Sequence, residues 1–222
     1  MLSLVLRTLL YDAPQVIFSD AEIKEYEKIN STIKNGELLT LDHHISKYRL
    51  LLYLSQHHNY LFHGSNHPSI DEFEPREQTL YNNKLTKAVF ASSEPMWSIF
   101  YAVFDRSKLV GSFRNGCLVY KNKKYHFYSL NESTKNNDPW TEGVIYLLPR
   151  DTFVQPDQKK LHFDEWICHD YVKPLGKIKV NASDFIYKNK VATHQAHESL
   201  IKTWLLYKRR TRNKKQGDRY DE

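Results

Sequence analysis

Apolar residues recur along this chain at two intervals, and the change from one interval to the other divides it. Up to residue 59 the interval is that of a helix. After a capping-box sequence at residues 19–22, one apolar face holds Ile23, Tyr26, Ile29 and Ile33, and a second holds Ile45, Tyr48, Leu51 and Leu52. The pattern therefore predicts two helices, the second of which ends at the polar residues 56–59.

From Tyr60 onward, short runs of aromatic and β-branched residues alternate with polar turns, which is typical of strands. The runs cover residues 60–62, 88–91, 113–120, 124–130, 144–148, 165–168 and 175–180. A hairpin connection is predicted at residues 120–125 and a polar loop at 131–139. One helix interrupts the strands, with Pro95 near its first turn, and another is predicted from about His194 into the basic end of the chain.

A helical lead-in, many strands around one internal helix, and a terminal helix together predict an α+β fold. We expect a helical lead-in at residues 1–59, a core at 60–192, and a C-terminal helix with a basic tail at 193–222. At 222 residues the chain suits one catalytic-sized domain with additions. The strands do not alternate regularly with helices and the sequence has no glycine-rich phosphate loop, which argues against a doubly wound nucleotide-binding fold.

The net charge of +6 is concentrated at the end of the chain, because residues 208–222 carry +4 of it. Such a tail can contact nucleic-acid phosphates, and a solvated helix end is an equally good interpretation. The apolar residues 1–10 include Arg7 and are too few to cross a membrane, so we predict a core-packed segment. Cys117 and Cys168 have no paired spacing, which favours reduced thiols and a cytoplasmic protein.

Two polar residues lie inside apolar, strand-like runs. His63 follows Leu61-Phe62 and precedes a glycine, which allows a close approach of the backbone to a ligand. Glu165 stands before Trp166-Ile167. Each has a plain alternative, namely a hydrogen-bonded structural histidine and a surface carboxylate. Taken together, the two residues predict a binding cleft.

Three segments in this order resemble the ADP-ribosyltransferase superfamily. They are Leu-Phe-His-Gly-Ser at 61–65, Ala-Val-Phe-Ala-Ser-Ser at 88–93 with Ser98 and Tyr101 beyond it, and Glu-Trp-Ile at 165–167. The resemblance is to the clade of poly(ADP-ribose) polymerases, DNA-modifying toxins of the DarT kind and, more remotely, tRNA 2′-phosphotransferases. It covers about residues 60–180 and implies a split β-sheet core with NAD bound between the sheets.

The resemblance implies a role for each matching residue. His63 would hold a ribose hydroxyl of NAD, and Gly64 and Ser98 would contact the nicotinamide carboxamide. The ring of Tyr101 would stack on the nicotinamide, a cation that is attracted to a π-face. Glu165 would accept a hydrogen bond from the 2′-hydroxyl of the nicotinamide ribose. Glu165 and His63 are therefore the expected catalytic residues.

The remaining expected NAD-binding residues are Ser65, Phe90 and Arg76, of which Arg76 would meet the pyrophosphate, with Arg114 as an alternative. Val89 stands where many relatives carry a tyrosine, and Glu142 is the chief competitor for the catalytic carboxylate. No metal site is expected, since His194 and His197 have no evident third ligand nearby.

The resemblance implies an enzyme that breaks the nicotinamide–ribose bond of NAD, its co-substrate, and transfers ADP-ribose to a protein or nucleic-acid acceptor. An anion fixed beside the ribose would lower the barrier, because positive charge develops there in the transition state. Two alternatives stay open. One is an NAD-dependent RNA 2′-phosphotransferase, which relies on basic groups where Glu165 stands. The other is a non-catalytic module of the same fold that binds a nucleotide or nucleic acid.

Overall fold

The computed structural model describes residues 2–80, 84–156 and 159–217, with side chains described to residue 212. The helices there are α1 (Leu2–Leu9), α2 (Asp20–Asn30), α3 (Lys47–His57), α4 (Pro95–Val103), α5 (Glu132–Asn136) and α6 (Leu200–Gly217). The strands are β1 (Tyr11–Asp12), β2 (Tyr60–Ser65), β3 (Arg76–Thr79), β4 (Leu85–Ala91), β5 (Phe113–Tyr120), β6 (Lys123–Asn131), β7 (Gly143–Pro149), β8 (Leu161–Phe163), β9 (Trp166–Cys168), β10 (Gly176–Val180) and β11 (Ala192–His194).

Three predicted helices, α2, α3 and α4, are confirmed, and the residues at their N-terminal ends show why they form. At the start of α2, Ser19 Oγ accepts from the Glu22 backbone N–H, and the Glu22 carboxylate accepts from the Ser19 N–H at 2.9 Å. At the start of α3, the Ser46 hydroxyl oxygen accepts from the Arg49 backbone N–H. Pro95 opens α4, where its missing N–H costs no helical hydrogen bond.

The sheets are antiparallel apart from one strand pair. Strands β10, β7 and β2 form one sheet, and β3, β4 and β9 form another. A bridge between Phe62 and Ser92 joins β2 to the end of β4. The third sheet runs β1-β6-β5-β8, and β11 adds to it parallel to β6. The chain thus has a mixed α and β architecture whose sheets do not close into a barrel, as the expected α+β class requires.

The hairpin between β5 and β6 turns over two residues, Lys121 and Asn122, at φ angles of 49° and 60°. Two positive φ angles in a two-residue loop match the right-handed twist of the paired strands. The turn therefore fixes the register of the whole hairpin and sets Cys117 directly opposite His126.

Helix α4 is apolar on nearly every side because it is enclosed by the protein. Its residues Met96, Ile99 and Phe100 are fully buried in the largest core cluster, to which α2, α3 and the five strands β2, β5, β6, β7 and β10 also contribute. On one side the helix lies against the backbone of Gly64 and Gly143. This close contact with α4 holds the ends of β2 and β7 in place.

Two predicted elements differ in the structure. The segment 131–139, expected to be a loop, contains α5, because the Asn131 side chain caps it by accepting from the Ser133 N–H at 3.0 Å. The terminal helix begins at Leu200 and not near His194. His194 belongs to β11, where Ser112 and Ser129 hydroxyls hydrogen-bond its two ring nitrogens at 3.0 and 2.8 Å.

The ends of the chain pack against each other. In α1 only Leu6 is buried, so the prediction that residues 1–10 pack in the core is correct for one face of this amphipathic helix. Lys208 on α6 donates to the carbonyl oxygens of Arg7 and Leu10, and Arg210 forms a two-bond ion pair with Glu198. Part of the expected basic tail therefore attaches α6 to the body, and residues 218–222 lie outside the described chain. Among the described helices, none combines the length and apolarity needed to cross a bilayer.

Candidate functional site

His63 lies near the end of β2, partly buried, with its ring 4.7 Å from that of Phe73. Its Nδ1 is 2.7 Å from the Phe90 carbonyl oxygen, which can only accept, so Nδ1 carries the proton. Burial lowers the pKa of His63, and the charges of Arg106 and Arg76 lower it further, against the opposing effect of the Phe90 carbonyl. The imidazole is therefore neutral at pH 7, and its Nε2 presents a lone pair that can accept a hydrogen bond.

Gly64 and Ser98 hold β2 against α4. A Cβ at Gly64 would lie 1.8 Å from the Ser98 carbonyl oxygen, so a side chain has no room there. Ser98, which is 3% exposed, donates its hydroxyl hydrogen to the Phe62 carbonyl oxygen at 3.1 Å. Both residues thus have a packing role.

Tyr101 lies on the same helix, one turn after Ser98. Burial raises the pKa of its phenol, and so does the charge of Glu165, while a hydrogen bond with Asn115 and the charge of Arg106 lower it. The Arg106 guanidinium lies 5.4 Å from the centre of the Tyr101 ring. Asn115 is itself oriented by the Trp97 indole N–H, which donates to its Oδ1 at 2.6 Å. An amide hydrogen bond and the charges of Arg106 and Glu165 therefore act on the phenol.

Glu165 comes immediately before β9, and the sheet register sets it close to β2. Trp166 pairs with Ala91, so the same register continued by one residue places Glu165 opposite Ser92, which bridges Phe62. Adjacent strands are about 4.8 Å apart, so Glu165 and the His63 end of β2 are separated by roughly 10 Å across β4. The register thus brings the backbone of Glu165 near the end of β2 that carries His63, and the charge of Glu165 acts on Tyr101.

Asp164 anchors the segment that carries Glu165. Its carboxylate is 2% exposed and accepts hydrogen bonds from the hydroxyls of Ser92 and Ser93 at 2.9 Å. Lys124 and the Trp166 indole N–H donate to it at 3.1 and 3.2 Å. Four donors on one buried carboxylate fix the backbone beside it, so Glu165 extends from a rigid support.

The other predicted residues divide into two groups. Ser65 at the end of β2, where its Oγ accepts from the His67 N–H at 3.1 Å, Phe90 on β4 and Arg76 at the start of β3 border the His63 region. Arg114 does not, because its guanidinium donates to the Glu198 carbonyl and the Thr203 hydroxyl next to α6.

Two other positions named in the sequence analysis, Val89 and Glu142, have different surroundings. Val89, which stands where many ADP-ribosyltransferases would carry a tyrosine if the resemblance holds, is 3% exposed and packs in a second core cluster with Tyr146. Glu142 is exposed before β7, whereas the carboxylate whose charge acts on Tyr101 is Glu165.

Sequence reasoning missed Arg106 and Asn115. Arg106 follows α4 by three residues, in a short 3-10 turn capped by Asp105. A sequence signal exists for Arg106, since it is the first cation after the helix that carries Tyr101. Asn115 gives none, because its place beside Tyr101 depends on how β5 packs against α4.

Comparisons of the chain with models of known protein families, with curated protein sequences and with solved structures find no match.

Proposed function

We propose that this protein is an NAD-dependent ADP-ribosyltransferase that binds NAD against β2 and α4 and cleaves its nicotinamide–ribose bond. The observation that carries the proposal is electrostatic. Glu165 and Arg106 both act on the Tyr101 phenol, and Arg106 also acts on His63, which supports a common cleft for the expected site residues. The proposal places residues 63, 101 and 165 around one cleft, although they are far apart in sequence.

The state of His63 suits a ribose hydroxyl. A neutral imidazole whose Nδ1 donates to the Phe90 carbonyl has an accepting Nε2, and a sugar O–H is a donor of the right kind. The charges of Arg76 and Arg106 both lower the pKa of His63, so the diphosphate of NAD would meet two cations there. Arg106 thereby joins Arg76 as a proposed phosphate-binding residue.

The position of Glu165 suits the chemistry. When the glycosidic bond breaks, positive charge builds on the ribose, and a fixed carboxylate stabilises that charge more than it stabilises bound NAD. Asp164 holds the carboxylate in place, so little reorganisation is needed during the reaction. The leaving nicotinamide would lie against the Tyr101 ring. A protein or nucleic-acid group would accept the ADP-ribose.

The test uses NAD labelled in its adenylate part, incubated with the protein and with a mixture of protein, DNA and RNA. Glu165→Gln keeps the shape and removes the charge, and Glu142→Gln is the matched control on an exposed carboxylate. We expect Glu165→Gln to lower turnover by about 10²–10³-fold with an unchanged melting temperature, since removal of one transition-state stabiliser typically costs that much. Glu142→Gln should behave as wild type.

The products decide among the alternatives. Labelled macromolecule supports the proposal, whereas ADP-ribose 1″,2″-cyclic phosphate from a 2′-phosphorylated RNA would replace it with phosphotransfer. Calorimetry that detects no NAD binding, together with salt-dependent binding of nucleic acid, would replace it with a binding module. Equal turnover by wild type and Glu165→Gln would refute the role of Glu165.

A further inference from the structure

A second group of reactive side chains lies beneath the segment that carries Glu165, and the proposed function does not use it. Glu94 at the start of α4, Cys117 on β5 and His126 on β6 are each 0–1% exposed. Their ligand atoms all lie within 4.8 Å of one another. The Asp164 backbone N–H donates to the Cys117 carbonyl at 2.9 Å, which joins this cluster to the site above.

Two polar atoms at the cluster have no hydrogen-bond partner within the described part of the chain. They are His126 Nε2 and the Tyr48 hydroxyl. Tyr48 lies near the same cluster, since burial and then the charges of Glu94 and Cys117 raise the pKa of its phenol. A buried polar atom without a partner is costly, and two around one point indicate that something else binds there.

We propose that Glu94, Cys117 and His126 bind a divalent metal ion of the zinc class. Thiolate, imidazole and carboxylate are the three ligand types that zinc takes in proteins. His126 Nε2 and Glu94 Oε1 are 3.6 Å apart. Two ligands of a tetrahedral zinc with bonds of about 2.0–2.1 Å are separated by roughly 3.4 Å, so this pair is already spaced for a shared ion.

The groups around these ligands match the needs of a metal site. His126 Nδ1 lies 2.9 Å from the Tyr128 hydroxyl, so with Nε2 on the metal the Nδ1–H donates to that oxygen, which orients the ring. The second carboxylate oxygen of Glu94 is 3.5 Å from Lys124 Nζ. Glu94 thus offers one oxygen to the metal and the other to the ammonium group.

The charges also balance when the ion is present. A divalent ion offsets the Glu94 carboxylate and the Cys117 thiolate, and Lys124 offsets Asp164, its partner at 3.1 Å. The ammonium group of Lys124 opposes a nearby cation, but its own ion pair with Asp164 neutralises it. A buried cluster of zero net charge avoids the desolvation penalty of an uncompensated one.

The metal site goes beyond the expectation from sequence, which predicted none, and it does not depend on NAD chemistry. Its role would be structural, since it ties α4 to the β5–β6 hairpin below Glu165. A water molecule that hydrogen-bonds His126 Nε2 and the Tyr48 hydroxyl is the competing occupant. The two occupants differ in metal content, so they are separable by experiment.

The experiment measures metal in the full chain purified without chelator, by inductively coupled plasma mass spectrometry, and then titrates Zn²⁺ into chelator-treated protein while following the melting temperature. We expect one metal ion per chain and a rise in melting temperature with Zn²⁺. Cys117→Ser should bind Zn²⁺ at least about tenfold more weakly. Cys168→Ser is the matched control, since Cys168 is also a buried free cysteine and lies outside the cluster.

Cobalt gives a readout that does not need a variant to fold. Wild type loaded with Co²⁺ should show a thiolate-to-cobalt charge-transfer band together with the absorption of tetrahedral cobalt. Absence of that band, or a chain that carries no metal and gains no thermal stability from Zn²⁺, would overturn the proposal in favour of the bridging water. Equal Zn²⁺ affinity of Cys117→Ser and Cys168→Ser would overturn it as well.

Discussion

Helix α4 rests on the backbone of Gly64, and this contact predicts the effect of adding one carbon atom. In Gly64→Ala the new Cβ would lie 1.8 Å from the Ser98 carbonyl oxygen and 2.8 Å from the Ala102 nitrogen. Both atoms belong to the helix backbone, so no side-chain rotation relieves the overlap. Ordinary contact begins at 3.4 Å, so helix and strand would have to separate by about 1.6 Å.

The magnitude follows from what α4 is packed against. Ser98, Ile99, Phe100 and Ala102 are all nearly or fully buried, and a close-packed interior does not absorb such a displacement locally. Overpacking a core typically costs about 1–3 kcal/mol, and a clash with backbone belongs at or above the upper end of that range. We therefore expect a loss of about 3 kcal/mol or more in the free energy of unfolding, which is a large part of the stability of an ordinary domain.

The assay is urea denaturation followed by circular dichroism, with thermal melting as a second measure. For a chain of this size about 3 kcal/mol corresponds to a fall in melting temperature of roughly 6–12 °C. Gly176→Ala is the control, because its Cβ would meet the Cγ2 of Ile33 at 3.1 Å, the end of a side chain that can shift. The control should change stability by less than about 1 kcal/mol. A Gly64→Ala protein as stable as Gly176→Ala would refute the reasoning.

Three further perturbations test other parts of the structure. Asp164→Asn removes the nearer of the two carboxylates that pair with the partly buried Lys124, so urea denaturation should show a loss of about 3 kcal/mol, and a loss below about 1 kcal/mol would contradict this. A hydrogen bond from Arg210 lowers the pKa of Glu198 from 4.5 to about 2. The stability that this ion pair adds is therefore complete above pH 4.5 and is lost as the pH falls to 2. The difference in stability between wild type and Glu198→Gln should shrink over that interval, and a constant difference would contradict the role of the ion pair. Asn122→Gly, at a φ of 60° in the hairpin turn, should raise stability by about 0.5 kcal/mol in the same assay, where any loss would argue against the turn assignment.

The elements that the sequence predicts are those whose signal is local. The capping box at Ser19 and the proline at the start of α4 act on neighbouring backbone groups, so a reader of the sequence can find both helices. Strands β5 and β6 have long apolar runs, and their observed bounds agree with the predicted ones to within a residue. Strands β1 and β11 have two and three residues, too few for any period, and each exists because β6 offers it a hydrogen-bonding edge.

The candidate site is less accessible from sequence because it depends on register. Asp164 and Glu165 are adjacent acidic residues that composition cannot tell apart, yet one is fully buried among four donors and the other borders the surface. The pairing of Cys117 with His126 was accessible in principle. A two-residue turn at Lys121-Asn122 sets Tyr120 opposite Lys123, and counting back along both strands brings the cysteine to the histidine.

Asp164 and Glu165 are adjacent, but we expect Asp164 to anchor the segment and Glu165 to take part in the proposed reaction. Variants of the two residues can test this division. A carboxylate that must stabilise developing charge has to stay in place, and a peptide segment near the surface holds it only if the neighbouring residue is immobile. Asp164 is immobile because Lys124 and two serine hydroxyls bind it from within the core. If this division holds, Glu165→Gln lowers turnover while leaving stability intact, whereas Asp164→Asn lowers both. A variant of Asp164 that loses stability but turns over NAD at the wild-type rate would show that the proposed reaction does not need this buried anchor.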